Sequence, residues 1–131
     1  MATPIRLMLV DDQPQVRRGL RMRLALEDDV LVVADAGDAE AALALAEQCH
    51  PDVVIMDVEL PGMDGIAATA QLRRAWPRLV VIMLSLHDDP DTQSRAKAAG
   101  ASAFVAKHRM EGPLLAAIRA AVCDAHDCGN E

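Results

Sequence analysis

Asp11 and Asp12, Asp57, Ser85 and Lys107 each close a short apolar run, and together they make a chemically coherent set. Any one aspartate has an ordinary explanation, since acidic side chains cap the helices that follow strands. Three carboxylates gathered at one edge repel one another, and a cation among them relieves that repulsion. Oxygen ligands of this hardness suit Mg2+, which takes carboxylates, carbonyls and water. A lysine ammonium and a serine hydroxyl beside the ion are natural partners for the oxygens of a transferred phosphoryl group. A carboxylate is a weak nucleophile, but it is already ionised at neutral pH and forms a labile acyl phosphate.

The elements that must position this set alternate along the chain. Apolar runs at 5–10, 30–34, 53–56, 79–84 and 103–106 read as strands. Between and after them, helical spacing appears at 14–27, 39–48, 66–75, 90–99 and 111–122. In the first helix Val16, Leu20, Leu24 and Ala25 share a side, and Arg17, Arg18, Arg21 and Arg23 read as a solvated face. Pro14 and Pro90 suit first helical turns, and Gly100 suits a helix end. The inner strands are apolar throughout rather than alternating, as expected of a parallel sheet covered by helices on both faces. The carboxyl ends of parallel strands share one edge, where ligands bind. Asp11 and Asp12, Asp57, Ser85 and Lys107 follow the first, third, fourth and fifth strands, so one edge collects them all.

The length of 131 residues fits one domain, and a hydrophobic content of 52% supports a packed core rather than a disordered chain. Aromatic residues make up only 2%, so the core falls to Val, Leu, Ile, Met and Ala. A formal net charge of -7 argues against direct nucleic-acid binding, which draws on basic contacts to phosphates. The opening segment does not read as a signal peptide, no run reaches transmembrane length, and three cysteines make no disulfide framework. A cytoplasmic setting is therefore expected. Cys123, His126 and Cys128 lack a fourth ligand for zinc. The first strand-to-helix turn, DDQPQVRRG at 11–19, is no glycine-rich phosphate cradle, and no base adjoins Ser85 for nucleophilic hydrolysis.

Four segments, MLVDDQPQVRRGL (8–20), PDVVIMDVELPGMDGI (51–66), VIMLSLHDD (81–89) and GASAFVAKHR (100–109), closely resemble the receiver domain of two-component response regulators. Within that family the chain is most similar to the LuxR/NarL-type transcriptional regulators. The resemblance spans residues 4–122 and leaves 123–131 as a polar tail or the start of a linker. It implies an α/β doubly wound (βα)5 domain, flavodoxin-like, with a five-stranded parallel sheet in the order 2-1-3-4-5. It implies that Asp57 accepts a phosphoryl group from a sensor histidine kinase. The metal ligands would be Asp12 directly, Asp11 through water, Asp57, and the backbone carbonyl of Glu59, holding Mg2+ or Mn2+. Ser85 and Lys107 would bind phosphoryl oxygens, and Ser85 and Phe104 would move together as the switch.

Several positions depart from the family pattern or vary within it. His108 follows Lys107 where many receivers have a cis proline, and Gln13 replaces a frequent histidine. Glu59 and His87 match positions that in the family tune water access to the acyl phosphate. The expected output is transcriptional, through a C-terminal DNA-binding domain not contained in this chain, with no other enzymatic activity. A stand-alone receiver and a Mg-dependent phosphohydrolase using Asp57 are the competing readings. A homodimer through the first and fifth helices is the expected partner contact, assisted by Arg17 and Arg21; no membrane partner is expected.

Overall fold

The computed structural model describes residues 3–87, 89–107 and 111–125. Five strands and five helices alternate in the order β1 (Ile5–Val10), α1 (Pro14–Leu24), β2 (Val30–Ala36), α2 (Ala39–Cys49), β3 (Val53–Asp57), α3 (Gly65–Ala75), β4 (Val80–Ser85), α4 (Pro90–Ala98), β5 (Ala103–Ala106) and α5 (Glu111–Ala125). All strand pairings are parallel, and the sheet order is β2-β1-β3-β4-β5. This is the doubly wound architecture expected from the continuous apolar strands. His108, like the tail residues 126–131, lies outside the described residues, so the expected consequence of losing a proline there falls outside them too.

Successive strand residues point to opposite faces, and each face has its own helices to bury against. On one face Met8, Val10, Val54, Met56, Val81 and Met83 meet the small side chains of α2 and α3, including Ala39, Ala42, Ala46 and Ala68. On the other, Leu7, Leu9, Ile55, Ile82 and Leu84 meet Leu20 and Leu24 of α1 and Leu114 and Ile118 of α5. Every residue of β3 and β4 is buried, which is why these two strands are apolar up to their final Asp57 and Ser85. Each large aliphatic side chain so buried contributes about 1.5–3 kcal/mol. The alanines of α2 set a close helix-to-sheet contact, compensating for the scarcity of aromatics.

Helix starts follow local chemistry. Asp38, Asp64 and Asp89 each accept a hydrogen bond from a backbone N–H in the first turn of the next helix, at Ala41, Ala67 and Thr92. Pro14 and Pro90 stand in first turns, where a missing N–H costs nothing. Gly100, at φ +106, turns the chain after α4 in a conformation that L side chains rarely adopt.

The limits of some elements differ from the sequence expectation. α1 stops at Leu24 instead of 27, with Ala25 as an exposed C-cap and Leu26 76% exposed. α5 continues to Ala125. β2 runs on through Asp35 to Ala36 because the register with β1 shifts: Leu7 pairs with Val32, but Met8 pairs with Ala34. That extra residue brings Asp35 opposite Leu9, on the face that carries α1.

Candidate functional site

Asp57 closes β3 with 1% of its surface exposed, and Asp11, just beyond β1, is 2% exposed. Asp12 is exposed beside them. One carboxylate oxygen from each of the three lies within 4.8 Å of the others. Lys107, immediately after β5, extends its Nζ to 2.8 Å from Asp11 Oδ2 and 3.1 Å from Asp57 Oδ2. Three chain segments remote in sequence, at the ends of β1, β3 and β5, thus meet at one edge of the sheet.

The backbone fixes this arrangement. The N–H of Gln13 donates to Asp11 Oδ1 at 2.9 Å, and the N–H of Glu59 donates to Asp57 Oδ1 at 3.2 Å. The N–H of Gly65 donates to Val58 O at 2.9 Å, drawing the start of α3 under the acceptor loop. A Cβ at Gly65 would stand 2.0 Å from the backbone oxygen of Asp57, so any side chain there would displace the loop. Arg17 donates to the backbone oxygen of Asp11 and pairs with Asp35 at 3.4 Å, while Arg21 reaches Asp35 at 2.7 Å. Here the structure corrects the reading of the α1 arginines as a solvated face. Two of them form a strut from β2 to the loop that carries the acidic pair.

Burial, and then the neighbouring Asp11 charge, push the Asp57 carboxyl up from 3.8 to about 6, against the opposing pull of Lys107. Burial of Lys107 works against its charge, but hydrogen bonding and attraction from Asp11 and Asp57 outweigh it and raise its pKa. Asp11 Oδ2 is buried, and among the described residues its close partner is the Lys107 ammonium at 2.8 Å. The site therefore sets three carboxylates against the single ammonium of Lys107 and holds excess negative charge. That donor set, all oxygen and partly accessible through Asp12, fits a hard divalent cation such as Mg2+.

Ser85 closes β4 with no exposure. Its hydroxyl donates to Glu59 Oε2 at 3.1 Å and accepts from the N–H of His87 at 2.9 Å. The sequence marks Glu59 for its backbone carbonyl and as a position governing water access, but not the contact of its side chain with Ser85. The two residues are 26 positions apart, and no spacing rule connects them. Phe104 lies on β5, opposite Met83 of β4, half-buried at a groove of about 540 Å3 shared with Pro90, Gln93, Lys97 and Ser102. It packs on the α4 side of the sheet.

A parallel five-stranded sheet with this charge cluster at its carboxyl edge defines a receiver-type α/β domain. The family model "Response regulator receiver domain" matches residues 7–119, and the chain belongs to that family. It is 38% identical over 119 residues to the nitrate/nitrite response regulator protein NarP of Escherichia coli, covering 91% of this chain and 55% of that protein. It is also 38% identical over 117 residues to the transcriptional regulatory protein YxjL of Bacillus subtilis, covering 89% and 54%. Among solved structures, a LuxR-family two-component response regulator from an Aurantimonas species aligns with a TM-score of 0.89 and 36% identity, over 93% of this chain and 87% of that one. The chain spans about half the length of the curated relatives it matches.

Proposed function

We propose that this chain is the phosphoacceptor module of a two-component system, with Asp57 as the acceptor. The observation that carries the reading is the buried Asp57 carboxylate held between Asp11, Asp12 and Lys107. An Asp57 oxygen attacks the phosphorus of a phosphohistidine on a sensor kinase. The P–N bond breaks, its electron pair returns to the imidazole, and a P–O bond forms the acyl phosphate. Asp11, Asp12, Asp57 and the Glu59 carbonyl would hold Mg2+, with Mn2+ as a substitute. When bound, the ion offsets charge on the carboxylates and the incoming group. Lys107 exchanges a carboxylate oxygen for a phosphoryl oxygen, and Ser85 donates its hydroxyl to another. Catalysis extends only to the chain's own phosphorylation and dephosphorylation.

Phosphorylation brings about -1.5 to -2 charges to a site already rich in carboxylates. Ser85 and Phe104 are the elements read as turning that change into a new surface. The output is read as transcriptional, through a DNA-binding region outside this chain; the transcriptional relatives matched over about half their length support this. A cytoplasmic location agrees with the finding that, among the described residues, no helix is long and apolar enough to cross a membrane. A homodimer through α1 and α5 is supported by an apolar groove of about 310 Å3 bordered by Val16, Leu20, Leu24, Leu114 and Leu115. Arg17 and Arg21 are already paired with Asp35, so Arg18, which is exposed, is the better probe of that contact. Arg18→Glu is expected to weaken association induced by beryllofluoride in sedimentation velocity; identical distributions with and without beryllofluoride in the wild type would remove the dimer.

The acceptor is tested by intact mass after acetyl phosphate and Mg2+. One phosphoryl addition is expected on the wild type and none on Asp57→Asn. Asp12→Ala is expected to lose labelling despite an intact acceptor, and Asp11→Ala to lose less. Stoichiometric labelling of Asp57→Asn would refute the assignment.

A further inference from the structure

Ser85 has a single O–H to give, and it is spent on Glu59. The hydroxyl is buried with the rest of Ser85, whereas Glu59 is exposed at the rim of the site. The second contact of the hydroxyl, from the N–H of His87 at 2.9 Å, uses it as an acceptor and orients the remaining proton. Glu59 itself is anchored two residues beyond the acceptor, its N–H on Asp57 Oδ1 at 3.2 Å. The same residue thus grips the acceptor carboxylate through its backbone and the phosphate-sensing hydroxyl through its side chain.

We propose that the Glu59 carboxylate is an off-state latch, an internal competitor that occupies the Ser85 hydroxyl until a phosphoryl group on Asp57 takes it over. The latch rests on the phosphoacceptor reading and adds a regulatory role for one side chain. A carboxylate is a good stand-in for a phosphoryl oxygen, because both are anionic acceptors that make charge-assisted hydrogen bonds. Exchanging one for the other leaves the strength of the Ser85 bond nearly unchanged, so Glu59 cancels much of what Ser85 would contribute to the phosphorylated state. Arrival of the phosphoryl charge then repels the Glu59 carboxylate and releases the bond. Glu59 is therefore a positioning residue that sets the threshold of the switch without touching the transferred group.

The test is binding of beryllofluoride, made from beryllium chloride and excess fluoride, in the presence of Mg2+. Titration calorimetry is run on wild type, Glu59→Ala, Glu59→Gln, Ser85→Ala and the Glu59→Ala/Ser85→Ala double variant. Glu59→Ala is expected to tighten binding about tenfold, the worth of one charge-assisted hydrogen bond no longer broken. Glu59→Gln is expected to tighten it less, because the amide oxygen still accepts from Ser85. In the Ser85→Ala background, Glu59→Ala is expected to change affinity by less than about twofold, since the two residues are coupled. An equal gain with and without the Ser85 hydroxyl would reduce Glu59 to a repelling charge and overturn the latch. Should Ser85→Ala fail to fold, equal gains for Glu59→Ala and Glu59→Gln overturn it in the same way. Absence of beryllofluoride binding in the folded wild type would strike the phosphoacceptor reading itself and the latch with it.

Discussion

Two clusters in this domain surround one cation with two carboxylates, and they behave oppositely. Lys107 sits between Asp11 and Asp57, where the side chains are 10%, 2% and 2% exposed. Arg119 of α5 holds Asp29 through Nε and Nη2 at 2.9 and 2.8 Å and Glu27 at 2.8 Å, at the surface. Hydrogen bonding from Arg119 lowers the pKa of Asp29, so that carboxylate is comfortable in its charge. Burial and Asp11 raise that of Asp57, so this one is not. Each cation contacts two carboxylates, with Asp12 a third beside Lys107, and burial is the largest cause of the difference. Around Arg119 water screens the second carboxylate, and the fork of the guanidinium satisfies Asp29 on both oxygens. Around Lys107 neither relief is available, and the unbalanced charge is what makes the cluster receptive to a cation.

The comparison breaks most sharply at Lys107. Lys107→Ala leaves Asp11 and Asp57 buried without their counter-charge, and loss of one partner of such a pair costs about 3 kcal/mol. The ammonium also competes with a divalent cation for the same oxygens, so Mg2+ affinity is expected to hold or rise in the variant. Thermal unfolding in the presence and absence of Mg2+ checks both. The metal-free variant is expected to melt well below the wild type, and Mg2+ is expected to close much of the gap. A gap indifferent to Mg2+ would place the ion elsewhere.

Much of this site was readable because fully buried parallel strands are unusual in sequence. VVIM before Asp57 and VIML before Ser85 have no polar residue to spare, so an acid or hydroxyl at their ends falls on a shared edge. What could not be read depends on register and loop geometry. The apolar run at 30–34 stops short of Asp35, and Arg17 and Arg21, four positions apart, read as a solvated helix face. Without the extra residue in β2 its side chain would face α2; the register shift turns it toward α1, and that turns two surface charges into a support for Asp11. The Glu59 contact with Ser85 is hidden for a similar reason, since two loops define it and no element does.

A smaller effect separates the clusters by pH. Asp57 binds its proton more tightly folded than unfolded, so its ionisation opposes folding. In metal-free protein this group costs little below the unfolded value of 3.8, destabilises increasingly as pH rises above it, and reaches its full effect above about 6. The groups facing it are Asp11, which opposes its ionisation, Lys107 and the Glu59 N–H, which favour it, and the exposed Asp12 alongside. Asp57→Asn is therefore expected to be more stable than the wild type above pH 6, by an amount that shrinks as pH falls toward 4. Urea unfolding of both proteins with chelator, across that range, checks it; a constant difference would contradict the cause assigned to the shift.

The Arg119 clasp should show the opposite sign and the smallest amplitude. Asp29 is held below its ordinary pKa, so its contribution is present above the unfolded value of 3.8 and disappears as pH falls through the lower folded value. Arg119→Ala is expected to lower the unfolding midpoint slightly at neutral pH and not at all in strong acid. Because Arg119 and Asp29 are exposed and Glu27 is partly so, the loss is also expected to fade as salt is raised, the usual fate of surface pairs. Mg2+ should leave it untouched, in contrast to Lys107→Ala. Differential scanning calorimetry of the variant in low and high salt, with and without Mg2+, tests all of this at once. A Mg2+-dependent loss at Arg119 would mean that the two clusters communicate through α5, and the distinction drawn from their burial would fail.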